Sequence, residues 1–313
     1  MGVELEFAGL DIDTAADVVA EYFGASIQHD TDYEKIIAAG DSGEWVVEVD
    51  FELLKAFGRK VQGDDEPTLG LELLDEIAED LLARTSLPLV PLEVVSPPIP
   101  MDRLQEVNAL IGALRKAGAL GTGESWAYAF GMHLNPELPG LDSDTITRYL
   151  KAFFCLYDWL VEHSDLDLTR RLTPYIDPFP AEYVRTVVST GYRPDIDQLI
   201  DDYLDANPTR NRILDMLPLF SHLDAPRVAA RVDDPRIKSR PTLHYRLPNC
   251  EIDREGWDLG GDWARWLQVE HLAADPTRLD SLCQRFSSHL DTGEKLFSDN
   301  RFTIDPSRDL TRL

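Results

Sequence analysis

Glu4 and Glu6 stand two residues apart in Val3-Glu4-Leu5-Glu6-Phe7. The same spacing recurs at His133 and Asn135 in Met132-His133-Leu134-Asn135, and at His244 and Arg246 in Leu243-His244-Tyr245-Arg246-Leu247. Strand side chains alternate between faces, so each pair projects from one side of its strand. A carboxylate in an apolar run is costly to desolvate without a partner. Glu48, Asp50 and Glu93 add further acids in strand-like segments. Two carboxylates at i and i+2 can reach a shared hard cation such as Mg2+. Arg246 and Arg240 are suited to holding phosphate or carboxylate in a bidentate fork, and His133 and Asn135 to donating hydrogen bonds to phosphate oxygens. Phosphoryl chemistry needs this mixture, with a metal to gather oxygens and guanidinium groups to neutralise developing charge. Taken singly, each pair has a plainer and commoner origin: a solvent-facing edge strand for the glutamates, a hydrogen-bonded interior histidine for His133. Repetition in separate strands is what favours one shared site.

The elements that must position these residues can be read from periodicity. Residues 2–8 alternate as a strand, and Asp13 starts a helix through Val18, Val19 and Tyr22 that stops at Gly24. Glu44–Phe51 and Pro88–Ser96 read as strands, the second closed by Pro97-Pro98. Apolar spacing predicts helices over Leu69–Ala83 and over Asp102–Ala119, the latter finishing at Gly121. Trp126–Asn135 returns to strand character. From Asp142 to about Asp234 the chain is helical and aromatic with no clear strand; Ser143 caps the first helix, and further helices fall at Asp195–Leu204 and Asn211–Phe220. Residues 240–247 form a last strand, Gly261–His289 is mostly helix with a break near Pro276, and the segment from Thr292 is polar and peripheral. Trp263 and Trp266, three apart on that helix, read as core packing. The pattern is α+β: one mixed or antiparallel sheet, helices on its outer face, and a helical insert at about 142–235 within a domain of residues 1–290, followed by a polar segment at 291–313.

Composition narrows the partners. The chain has 313 residues, 57 acidic against 30 basic, for a formal net charge of −27. Such a surface repels phosphate backbones, which argues against nucleic acid and anionic membranes as partners. Three widely spaced cysteines, Cys155, Cys250 and Cys283, fit reduced thiols in a cytoplasmic protein rather than a disulfide framework or a zinc site. The start of the chain does not read as a secretion signal, and no run is long and apolar enough to span a membrane. A Walker loop, a GxGxxG turn, a GxSxG elbow and an HExxH helix are all absent from the sequence.

Four segments taken in order resemble the amidoligase family, carboxylate–amine ligases related to glutamine synthetase and glutamate–cysteine ligase. They are Gly2-Val3-Glu4-Leu5-Glu6-Phe7, Leu92-Glu93-Val94-Val95-Ser96-Pro97-Pro98, Gly131-Met132-His133-Leu134-Asn135 and Thr242-Leu243-His244-Tyr245-Arg246-Leu247-Pro248-Asn249, and the resemblance spans about residues 1–250. It implies a glutamine-synthetase-like sheet that uses Mg-ATP, with Mn2+ as a possible substitute, to phosphorylate a carboxylate; an amine then displaces phosphate to form an amide. It further implies Glu4, Glu6 and Glu93 as metal ligands, and His133 at the nucleotide phosphates or the acyl phosphate, supported by Asn135. Arg246 would stabilise the transferring phosphoryl group, and Asp50 would loosely match an acid following a Trp-containing strand. Where the family carries Glu-aromatic-Arg on its last strand, this chain has His244-Tyr245-Arg246. His244 is therefore either a replacement metal ligand or the mark of a lost metal site.

The expected activity is ATP-dependent amide formation between an amine and a carboxylate on an amino acid or peptide, with Asp50 as a candidate base. In the helical insert, Arg210 and Arg212 are candidates for a carboxylate or the γ-phosphate, or for a face pairing with surface acids. A metallohydrolase on the same sheet and a degenerate binding protein are the competing readings.

Overall fold

The alternation at the start of the chain becomes strand β1 (Gly2–Phe7), in which Val3, Leu5 and Phe7 are fully buried on one side and Glu4 and Glu6 share the other. The computed structural model describes residues 1–51, 90–122, 130–164, 178–291 and 301–311. The expected helix over Leu69–Ala83, and parts of the strands begun at Pro88 and Trp126, lie outside them. The described chain is α+β, with eight strands and nine helices among these residues. It forms two compact units. The first contains the described residues up to Leu134 and Pro248–Leu259; the second contains those from Asn135 to Leu247 and from Gly260 onward.

In the first unit, β1 is followed by α1 (Ile12–Phe23), β2 (Ser26–Asp30), β3 (Glu34–Ala38), β4 (Glu44–Val49), β5 (Leu92–Val95), α2 (Leu104–Ala117) and β6 (Met132–Asn135), within which the chain passes into the second unit. The strands lie in the order β2-β3-β4-β5-β1-β6, and β2/β3, β3/β4, β4/β5 and β5/β1 pair antiparallel. The β1–β6 neighbourhood is fixed by the Glu6 amide, which donates to the Gly131 carbonyl at 3.0 Å.

Asp11, not Asp13, caps α1 by accepting the Thr14 amide at 2.7 Å, and Gly24 closes the helix in the left-handed region. Helix α2 stops at Gly118, earlier than the expected Gly121, because Gly118 itself takes φ 110°. Helices α1 and α2 pack together, and α1 covers the face of β3 and β4 that buries Ile37, Trp45 and Val47. The opposite face keeps its acids. The hairpin of β2 and β3 was absent from the sequence reading; its turn is closed by the Thr31 hydroxyl, which accepts the Glu34 amide at 2.9 Å and donates to the Glu34 carbonyl at 2.9 Å.

The second unit is built on α3 (Ser143–His163), α4 (Ala181–Val188), α5 (Ile196–Ala206), α6 (Leu217–Ala229), α7 (Gly260–Ala273), α8 (Pro276–Asp291) and the short α9 (Pro306–Asp309). Asp142 caps α3, one residue before the expected Ser143, accepting the Thr145 amide at 3.0 Å. Two strands, β7 (Leu214–Asp215) and β8 (His244–Tyr245), pair antiparallel. Strand β7 corrects the expected helix over Asn211–Phe220. Pro218 is tolerated in the first turn of a helix but not in its interior, so the helix begins at Leu217 and the preceding residues are extended. The core is aromatic: Phe153 and Phe154 of α3 meet Phe179, and Tyr245 lies 4.8 Å from the ring of the fully buried Trp266. Phe302 and Ile304 are buried too, and the Phe302 amide donates to Asp158 at 2.9 Å. No helix among the described residues is long and apolar enough to cross a membrane.

Candidate metal and phosphate site

Strand register places a row of glutamates along one face of the sheet in the first unit. Glu34 pairs with Glu48, Glu48 with Glu93, and Glu93 with Glu6, across β3, β4, β5 and β1. Like charges directly opposed across strands repel, so this row is a concentrated negative potential that a cation would relieve. Glu93 carries the cost most visibly. Burial, followed by the charges of Glu4, Asp50, Glu6 and Glu48, raises its carboxyl well above the usual range.

His133 sits at the β1 end of this row. Its Nδ1 is 2.9 Å from Glu4 Oε2 and 3.9 Å from Glu93 Oε1, while its Nε2 is 3.2 Å from Glu6 Oε1. The second oxygen of Glu6 accepts the Gly131 amide at 2.6 Å, which fixes that carboxylate against the strand carrying His133. The ring thus stands between two carboxylates, with Nδ1 hydrogen-bonded to Glu4 and Nε2 beside Glu6. Glu4, Glu6 and His133 are all more than nine-tenths buried. Potential ligand atoms of Glu6, Glu93 and His133 lie within 4.8 Å of one another. Two carboxylates and one imidazole suit a divalent cation; the oxygens fit Mg2+, and the nitrogen shifts preference toward Mn2+.

The other expected residues belong to the second unit. Asp215 and His244 are register partners across β7 and β8, with Asp215 Oδ2 3.7 Å from His244 Nδ1 and both residues buried. Asp215 Oδ1 accepts the Leu217 amide at 2.9 Å, which holds the carboxylate at the start of α6. Arg246 donates to the Arg210 carbonyl at 3.0 Å, and Arg240 donates to Asn135 Oδ1 at 2.8 Å. Burial lowers the Arg210 pKa; Asp215 opposes this and Arg246 adds to it, so the two guanidinium groups sense each other.

Arg212 stands apart from this group. Its Nε donates to Asn207 Oδ1 at 2.8 Å, its Nη1 donates to the Pro178 carbonyl at 3.0 Å, and the guanidinium lies 5.6 Å from the centre of the Phe179 ring. These contacts occupy it in holding the loop before α4.

Glu4, Glu6, Glu93 and His133 thus converge, and Asp50, just beyond β4, acts on Glu93 through its charge. The sequence places Glu48 among the strand acids without a role of its own, and Asp215 is not among the residues anticipated from it. Glu48 showed the same i, i+2 spacing with Asp50, but its place opposite Glu93 is a matter of register. Asp215 was visible only as an acid inside the apolar run Ile213-Leu214-Asp215-Met216-Leu217.

A family model described as "putative amidoligase enzyme" covers residues 1–268. No curated protein and no solved structure gives a significant match. The matched span contains every residue of the glutamate row, His133, and Arg210, Arg212, Arg240 and Arg246 of the second unit; the chain belongs to the amidoligase family.

Proposed function

We propose that this protein is an ATP-dependent carboxylate–amine ligase that forms an amide through an acyl phosphate. The observation that carries this reading is the convergence of Glu4, Glu6 and Glu93 on His133 in a chain of amidoligase ancestry. Glu6, Glu93 and His133 would hold a divalent cation and Glu4 would support His133; within the second unit, His244 is assigned as a cation ligand beside Asp215. A bound cation would gather phosphate oxygens and offset their charge.

The remaining roles fall to the chain's own side chains. Arg246, Arg240 and Arg210 supply donors for phosphate and carboxylate oxygens, and Arg246 is assigned to the phosphoryl group in transit. Asn135 orients Arg240 through its side-chain oxygen. Asp50 is assigned to remove the proton that the attacking amine must lose. The carboxylate substrate is an amino acid or peptide, and the net charge of −27 favours a cationic amine as its partner.

The test is incubation of the purified protein with ATP, Mg2+ or Mn2+, and pooled amines and carboxylates, following ADP and new amide masses together. ADP release that depends on both substrates, with equimolar amide, supports the ligase. Cleavage of a phosphate ester or an amide without nucleotide would replace it with a hydrolase.

A further inference from the structure

Cys155 on α3 and Cys283 on α8 bring their sulfur atoms to 3.6 Å, in van der Waals contact, inside the core of the second unit. Both thiols are reduced. Lys151 lies one helical turn before Cys155, on the same face of α3, and is itself buried. Its ammonium donates to the Ser189 and Tyr192 carbonyls at 3.0 and 3.2 Å. Among the described residues, no carboxylate forms an ion pair with Lys151. A buried ammonium held by neutral carbonyls is an electrostatic deficit, and an adjacent sulfur is where negative charge can settle.

The two thiols are not equivalent. The Cys283 pKa is lowered by the hydrogen bond to Cys155, against the opposing effect of burial, and further by the Lys151 charge. Burial holds the Cys155 thiol well above its ordinary range, so it stays protonated. Arg193 and Asp280, paired at 3.8 Å, complete the charged surroundings and act on Cys283 in opposite senses. Two sulfurs in contact, one of them beside a buried ammonium that favours its thiolate, are the arrangement that thiol–disulfide chemistry uses.

We propose that Cys155 and Cys283 are a redox-modified pair that a hydroperoxide converts reversibly into a disulfide joining α3 to α8. The Cys283 thiolate attacks a peroxide oxygen, forming an S–O bond as the O–O bond breaks, and the departing hydroxide takes up a proton to become water. The Cys155 sulfur then attacks the sulfenic sulfur of Cys283, the S–S bond forms, and the hydroxyl leaves with the Cys155 proton as a second water. In sum, two thiols are oxidised by two electrons and one hydrogen peroxide is reduced to two waters. Both sulfurs are shielded from solvent, so the oxidant is small and neutral. Cys250 belongs to the first unit and takes no part.

The test is peroxide treatment of the folded full chain, followed by alkylation, digestion and mass spectrometry. The expected product is a Cys155–Cys283 cross-linked peptide, with Cys250 alkylated only after denaturation and both thiols recovered with dithiothreitol. The cross-link should raise the melting temperature by about 5–10 °C, because it closes a long loop. In Cys155→Ala, a dimedone adduct should appear on Cys283. Lys151→Met should slow cross-linking about tenfold, the effect of a unit change in thiol pKa; melting of the untreated variant checks that it folds. Absence of the cross-link at peroxide doses that fully oxidise free glutathione would overturn the proposal. So would a cross-link that forms only in urea, or a dimedone adduct on Cys155 in Cys283→Ala with none on Cys283 in Cys155→Ala.

Discussion

Glu6 and Glu93 face one another as register partners across β1 and β5, and Glu48 faces Glu93 from the other side. Three carboxylates in adjacent strands, on a face this little exposed, are a local destabilisation that only a proton, an organic cation or a metal can relieve. Burial and these neighbours push the Glu93 carboxyl well above its usual range, and the His133 ring stands between Glu4 and Glu6.

The sign of the Glu93 shift sets a pH dependence. Its folded pKa lies above the unfolded value, so the stability it contributes is complete below the unfolded carboxylate pKa, about 4.3, and is lost as pH rises through the folded pKa. Glu93→Gln should remove that slope. At neutral pH without metal the variant should be more stable than wild type by about 1 kcal/mol, the scale of two opposed like-charge pairs. Addition of Mn2+ should reverse the ranking, because only wild type gains a ligand. Urea melts at several pH values, with EDTA or with Mn2+, measure both; a variant that melts below wild type in EDTA would remove the electrostatic account.

His133 is the complementary case. Both ring nitrogens face buried carboxylates, so His133→Ala leaves Glu4 and Glu6 facing each other with no ring between them. The expected loss is about 3–5 kcal/mol, as for breaking a buried ion pair from one side, together with at least a tenfold weakening of Mn2+ binding. Glu4→Gln with His133→Ala should recover part of the stability and none of the metal affinity. If the single variant is as stable as wild type, His133 is not the hub of this cluster.

Local alternation made part of this legible. Glu4 and Glu6 stand out because Val3, Leu5 and Phe7 flank them, and Gly24 and Pro276 punctuate helices where the structure has their ends. Strand β2 gave no such signal: Ser26, Gln28, His29 and Asp30 are exposed, and the turn after it uses a threonine hydroxyl in place of Gly or Asn. The stretch before Pro218 is apolar enough for a helix; Pro218 keeps the helix from starting earlier, and pairing with His244 and Tyr245 is what makes those residues a strand. Register is a long-range property, so neither the opposition of Glu48 to Glu93 nor that of Asp215 to His244 can be read from local spacing.

Arg246 tests the nucleotide side of the proposal. Titration of Mg-ATP into wild type should show binding on the order of micromolar, and Arg246→Ala should weaken it about tenfold to a hundredfold, the worth of a charge-assisted hydrogen bond. Because Arg246 also donates to the Arg210 carbonyl, Arg246→Lys is the informative control. It retains the charge, loses the planar fork, and should bind between the two. Equal affinity in all three proteins, or none in wild type with either Mg2+ or Mn2+, would take ATP out of the reaction.

His244→Glu separates a working metal ligand from a vestige. The new carboxylate would stand directly opposite the fully buried Asp215 in the β7–β8 ladder, so without metal the variant should lose at least about 1 kcal/mol. A divalent cation at residue 244 would recover that loss and, with oxygen replacing nitrogen as donor, would move preference from Mn2+ toward Mg2+. Thermal melts against each ion give the answer directly. Recovery by Mg2+ makes His244 a ligand whose chemistry tunes the choice of metal. A loss that neither ion recovers shows that His244 and Asp215 form a structural pair within the second unit and hold no metal.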